Sequence, residues 1–191
     1  MKMEEAFAAY EGVRHRLPSS DKRGACKNVP DLAALSDEID VFLLDAFGVL
    51  NIGETAIAGV PERVAELQRA GKRVLVVSNA AGQPHSSLMK KYARLGYAFH
   101  PDDVITSRKT LIHALKEQAP CRWGLMANES LGREDIEPFN MGFLADDKVI
   151  YDTVEGFVLL GSAVWTEARQ ELLVASLKHR PRPVYVGNPD I

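Results

Sequence analysis

The chain has 191 residues, a hydrophobic fraction of 46%, a charged fraction of 26% and a formal net charge of −3. This is the size of one sizeable domain or two small ones, with the composition of a soluble globular protein. A slightly acidic chain is not expected to bind nucleic acid as its main function. No segment has the length of a membrane span or the pattern of a signal peptide, so we expect a cytoplasmic protein without a membrane partner.

The N-terminal part, residues 1–37, is predicted to be a helix and a connector. Apolar residues recur at helical spacing over residues 3–17, and Pro18 is placed to end that helix. The helix is expected to dock on the core of the protein. The connector that follows is polar and contains glycine and proline.

From residue 38 onward, strand-like and helix-like patterns alternate. Residues 41–44 form an apolar run that predicts a buried strand, and residues 51–59 predict a small flap or hairpin. The following strands are predicted at residues 73–77 and 104–106, with helices starting near Pro61, Pro84 and Ser107. Ser107 is a good N-cap residue. The alternation predicts a Rossmann-like α/β fold with a doubly wound, mostly parallel sheet.

The rest of the chain predicts a second, smaller α/β unit. Strands are expected at residues 123–127, 156–160 and 183–186, and a helix at 166–177. The predicted division is therefore a first core segment over residues 38–107, the second unit over 108–185 and a return to the core over 186–191.

Two strand ends carry polar residues that suggest a site. Asp45 closes the apolar run at 41–44, and a carboxylate in that position is costly unless it is paired, metal-bound or functional. Gly48 lets the chain turn away sharply behind it. The next strand ends in Ser78-Asn79. Neighbouring parallel strands place such groups in one crevice at their carboxyl ends.

The segments around these residues resemble the haloacid dehalogenase superfamily. Leu44-Asp45-Ala46-Phe47-Gly48-Val49-Leu50 is similar to its first motif, and Val74-Leu75-Val76-Val77-Ser78-Asn79 to its second. The segment at 104–107 and the closing Asn188-Pro189-Asp190 resemble the class IIA subgroup, in which an α/β cap follows the second motif. In this comparison the second unit corresponds to the cap.

The resemblance implies a phosphatase that acts on a small phosphorylated metabolite through an aspartyl-phosphate. It implies that Asp45 is the nucleophile and a Mg²⁺ ligand, and that the backbone carbonyl of Phe47 is a second ligand. Ser78, Asn79 and Gly48 would hold the phosphoryl group. A homodimer is an open alternative to a monomer.

Two departures from the family pattern keep other functions open. Phe47 stands where the phosphatases carry an acidic general acid/base, and we expect its ring to pack against the flap or the cap. The third and fourth motifs have no counterpart before Ile191, so we expect a truncated chain that binds metal weakly. The alternatives are a degenerate relative that binds a phosphometabolite or partner without turnover, and a dehalogenase-like enzyme that cleaves carbon–halogen bonds.

Overall fold

In the computed structural model, the described residues are 2–17, 19 and 24–188. The helices are α1 Met3–Val13, α2 Val60–Arg69, α3 His85–Arg94, α4 Ser107–Lys116, α5 Lys148–Thr153 and α6 Glu167–His179. The strands are β1 Val41–Leu44, β2 Asn51–Ile52, β3 Thr55–Ala56, β4 Arg73–Ser78, β5 Val104–Thr106, β6 Trp123–Met126, β7 Met141–Phe143, β8 Gly156–Leu159 and β9 Val184–Val186.

The N-terminal helix forms as predicted, but it does not dock. α1 buries none of its residues, and Phe7 of its apolar stripe is 66% exposed. The expectation that this helix packs on the core is therefore wrong. Pro18, the predicted helix stop, lies outside the described residues.

The first sheet has three strands in the order β1-β4-β5, all parallel. Leu44 is paired with Val76, so β1 and β4 end next to each other. One face of this sheet packs under α2 and α3 in a single apolar cluster that includes Phe42, Val74 and Leu88. This packing holds the carboxyl ends of β1 and β4 in fixed relative positions.

The opposite face of the first sheet is open. It carries four partly exposed aliphatic side chains: Val41, Leu43, Val77 and Ile105. Leu43 is 65% exposed. The predicted strand at residues 41–44 is confirmed, but the prediction that it is buried is wrong, because β1 alternates between exposed and buried positions in the way of a sheet covered on one side.

The second sheet has four parallel strands in the order β7-β6-β8-β9. α4 contributes Leu111 and Leu115 to one apolar cluster with this sheet. α5 and α6 contribute Tyr151 and Leu173 to another. The central strands β6 and β8 are accordingly buried along almost their whole length.

Close contacts inside the second sheet require glycine. A Cβ atom on Gly156 would lie 2.3 Å from the ring of Trp123, which is itself buried. Trp165, the other tryptophan of the sequence, is a partly buried residue packed against the cluster around Tyr151. Both tryptophans thus belong to the second sheet and its helices.

The structure confirms the predicted α/β class with parallel sheets and corrects several details. β7 and α5 were not predicted. The N-cap of α4 is Thr106 rather than Ser107, because the Thr106 hydroxyl accepts a hydrogen bond from the Lys109 amide at 3.1 Å. Among the helices of the described ranges, none is long and apolar enough to cross a bilayer.

Candidate active site

The predicted site residues gather at the carboxyl ends of β1 and β4, beside a cavity of about 380 Å³. The cavity is lined on the first-sheet side mainly by residues that follow these two strands and by one side of α3: Ala46, Phe47, Ser78, Asn79, Ala80, Ala81, Leu88, Lys91 and Tyr92. Gly48 and Asp45 adjoin this lining without belonging to it. The residues predicted from the two strand ends therefore lie at one edge of the first sheet.

Asp45 is the exposed residue directly after β1. Its Oδ1 accepts a hydrogen bond from the Ala46 amide at 2.7 Å. The chain then turns at Gly48, whose φ of 78° lies in the left-handed region that favours glycine. The Gly48 amide donates to the Asn51 carbonyl at 2.9 Å and closes the turn. This geometry leaves Asp45 exposed to solvent directly after the end of β1.

Ser78 is the last residue of β4 and is 8% exposed. Its Oγ accepts the Ala80 amide at 3.2 Å, which leaves the hydroxyl proton available to a ligand. Asn79 follows as an exposed residue that lines the cavity. Ser78 and Asn79 therefore both belong to the wall of the cavity.

Phe47 differs from its expected placement. Its side chain is 68% exposed, so the expectation that it packs against the flap or the cap is wrong. It lines the cavity as an apolar wall and offers no group that could exchange a proton.

The flap is the antiparallel hairpin of β2 and β3, and its tip is tied to α3. Glu54 accepts hydrogen bonds from Lys91 at 2.8 Å and from Arg94 at 2.5 Å. The hydrogen bond from Lys91, together with that from Arg94, holds the pKa of Glu54 below its ordinary value. Lys91 lines the cavity and was missed in the sequence, where it looked like one of many surface lysines.

Tyr92 is a second residue that sequence reasoning missed as part of the site. It was placed on the apolar face of its helix, and it is indeed 1% exposed in the core. It also lines the cavity. Burial, followed by the negative charge of Asp45, raises the pKa of Tyr92 to about 12.

The second sheet closes the cavity from the other side. Leu160 and Gly161 follow β8, and Asn188 follows β9; all three line the cavity. A Cβ atom on Gly161 would lie 3.4 Å from the Cα atom of Gly82, so the two backbones approach closely here. The rest of the predicted return segment, Pro189 to Ile191, lies outside the described residues.

The described residues supply a partial set of metal ligands. In the ranges given above, no group of three or more His, Cys, Asp or Glu side chains could hold a metal ion. Asp45 offers one carboxylate, and the Phe47 backbone offers a carbonyl. Mg²⁺ often takes one or two carboxylates and fills its other positions with water and substrate phosphate, so this set fits a weakly held ion.

A larger cavity of about 490 Å³ lies around Cys121 and Trp123. None of the predicted site residues lines it. The size of a cavity does not by itself indicate a reaction or a ligand. The cavity at the strand ends therefore remains the candidate site.

The fold and this site define an α/β protein with a carboxylate and a hydroxyl at the ends of adjacent parallel strands. The family model of haloacid dehalogenase-like hydrolases matches residues 42–136. This part of the chain belongs to that family, as its sequence motifs predict.

Three known proteins illustrate the similarity. Human glycerol-3-phosphate phosphatase is 38% identical over 64 residues, which cover 34% of this chain and 20% of that protein. A 4-nitrophenylphosphatase from Thermotoga maritima superposes with a TM-score of 0.65 at 23% identity, over 82% of this chain and 57% of its own. A glycerol phosphate phosphatase from Mycobacterium tuberculosis in complex with magnesium superposes with a TM-score of 0.64 at 19% identity, over 82% of this chain and 46% of its own. The chain therefore spans about half the length of the two solved structures, whose similarity shows the fold.

Proposed function

We propose that this protein is a phosphatase that acts on a small phosphorylated metabolite, with Asp45 as the nucleophile. One observation carries the proposal. Asp45 follows β1 and Ser78 ends β4, and these two strands are adjacent, parallel and end beside a single cavity. The names of the similar proteins, which include phosphatases of glycerol phosphate and nitrophenyl phosphate, support the reaction class.

The proposed reaction has two steps. A carboxylate oxygen of Asp45 attacks phosphorus, and the bond from phosphorus to the ester oxygen breaks. The leaving oxygen takes a proton from solvent water, since Phe47 has none to give, so the alcohol is released and an aspartyl-phosphate remains. Water then attacks the phosphorus and regenerates the carboxylate, with inorganic phosphate as the second product. The Ser78 hydroxyl and the Asn79 amide donate to the phosphoryl oxygens, and the turn at Gly48 keeps the approach to Asp45 open.

We infer Mg²⁺ as the cofactor. Asp45 and the Phe47 carbonyl would hold the ion, which would offset the repulsion between the carboxylate and the phosphate. The second sheet would act as the cap, because residues after β8 and β9 close the cavity. The cytoplasmic location and the homodimer stay predictions.

The test is phosphate release from a panel of phosphorylated metabolites with Mg²⁺, using the full-length gene product. Asp45→Asn should lower the rate on the order of 10⁴-fold or more, as loss of a nucleophile does. Asp40→Asn is a matched control at the other end of the same strand, since Asp40 pairs with Lys72 there. Equal rates for wild type and Asp45→Asn would refute the proposal.

A second candidate function rests on Phe47. Because no proton-transferring side chain stands at this position, the site is also suited to binding a phosphometabolite without turnover. Binding of a phosphorylated ligand without phosphate release, unchanged by a chelator, would favour this function. Halide release from short haloacids would instead support the dehalogenase alternative.

A further inference from the structure

Tyr92 lies between the apolar core of the first sheet and the candidate site. Its ring meets Tyr97 and Phe99 edge-on, with centroids 6.4 and 5.6 Å away. These contacts fix the ring in one orientation. Only 1% of the residue is exposed, yet the residue forms part of the cavity wall.

Among the described residues, the hydroxyl of Tyr92 has none of the hydrogen-bond partners that buried phenols normally have. Its neighbour Tyr97 shows the ordinary arrangement, since it donates to the Leu50 carbonyl at 2.6 Å. Within the described residues, the Tyr92 hydroxyl makes no such bond and is not sealed from the cavity. An unpartnered donor that is held rigidly at a cavity wall is an arrangement suited to a ligand.

The residues around the Tyr92 hydroxyl indicate which kind of ligand would bind there. Ser78, Asn79 and Lys91 line the same cavity. Asp45 is close enough for its charge to act on the phenol. A phenol is neutral and a hydrogen-bond donor at ordinary pH. The donors suit the oxygens of an anion that sits against Asp45.

We propose that the Tyr92 hydroxyl donates a hydrogen bond to a non-bridging oxygen of the phosphoryl group bound between Asp45 and Ser78. This inference rests on the proposed phosphatase function and adds a substrate-contacting residue to it. Tyr92 thereby supplies a neutral donor from the core side of the site.

The experiment uses orthovanadate as the probe, with MgCl₂ present, and measures its dissociation constant by isothermal titration calorimetry on the full-length gene product. Tyr92→Phe removes the hydroxyl and keeps the ring. It should weaken vanadate binding by about ten- to a hundredfold, which is the range for a hydrogen bond to a charged group. Its melting temperature should stay equal to that of the wild type or rise slightly, because no hydrogen bond to a described residue is lost.

Tyr97→Phe is the matched control, because it removes a phenol oxygen from the same aromatic cluster outside the cavity. It should lower the melting temperature, since the Leu50 carbonyl loses its donor, and leave vanadate binding within about twofold.

The outcomes separate the two proposals. If the wild type binds vanadate and Tyr92→Phe binds it equally well, the proposed role of Tyr92 is overturned and the proposed function is not. A melting temperature lowered as much as in Tyr97→Phe would show a partner within the protein and would also overturn it. A wild-type protein that neither binds vanadate nor releases phosphate would overturn the proposed function, and this inference with it.

Discussion

Phe47 stands two residues after Asp45, with most of its ring in solvent beside the cavity. Its exposure means that the ring contributes little to the packing of the first sheet. A polar replacement at this position is therefore expected to fold normally.

We predict that Phe47→Asp raises phosphate release by about 10²–10⁴-fold, the usual contribution of general acid–base catalysis. The measurement is the turnover number at saturating substrate and Mg²⁺. Phe47→Asn, which is similar in size and cannot exchange a proton, is the control and should stay near the wild-type rate. A rate for Phe47→Asp no higher than for Phe47→Asn would show that the missing acid does not limit turnover.

The sequence predicts the placement of some residues of the candidate site better than that of others. Asp45 and Ser78 were predictable, because each sits at the end of an apolar run and parallel strands end at one edge. Tyr92 was assigned correctly to the buried face of its helix, but helical spacing does not show that a hydroxyl lacks a partner. Lys91 gave no signal at all, since its position depends on an ion pair with the distant Glu54.

At the scale of elements, α4 shows how a helix start is decided. Thr106 and Ser107 are both residues that favour N-caps, and the sequence alone does not choose between them. The parallel pairing of Ser78 with Thr106 keeps Thr106 in an extended backbone, which is the conformation that an N-cap needs.

We predict that Thr106→Ala lowers the free energy of unfolding by about 1 kcal/mol, because the Lys109 amide loses its acceptor. Ser107→Ala is the control and should change it by less than about 0.5 kcal/mol. Urea denaturation of both variants measures the difference. A larger loss for Ser107→Ala than for Thr106→Ala would mean that Ser107 is the N-cap and that the helix begins one residue later.

Short elements in the second unit were harder to predict than long ones. β7 has three residues, one of which is glycine, and α5 has six residues. Neither is long enough to display a clear period of two or of 3.6 residues. Their positions are fixed by pairing with β6 and by packing of Tyr151 in the core, and these are tertiary effects.

At the scale of the whole molecule, a buried ion pair joins the two sheets. Arg108 in α4 has a side chain that is 3% exposed, and its Nε donates to Asp135 at 2.9 Å. The Nη1 of Arg108 donates to the Ala81 carbonyl, in the loop after β4. The pair links the strand-end loop of the site to a segment of the second unit, over a separation that no local pattern in the sequence reveals.

We predict that Arg108→Ala lowers the free energy of unfolding by about 3 kcal/mol, since it leaves the Asp135 carboxylate partly buried without its charged partner. Arg73→Ala is the control, because its pair with Asp103 is largely exposed and should contribute less than about 1 kcal/mol. Denaturant titrations of both variants give the values. A loss for Arg108→Ala as small as for Arg73→Ala would show that the buried pair stabilises the fold no more than an exposed one.

The placement of both tryptophans gives the molecule a built-in spectroscopic label. Selective excitation of indole reports on the four-stranded sheet alone, whereas far-ultraviolet circular dichroism reports on every helix. If the two signals change at the same denaturant concentration, the halves of the molecule melt as one cooperative body; an earlier change in either signal would reveal which half gives way first.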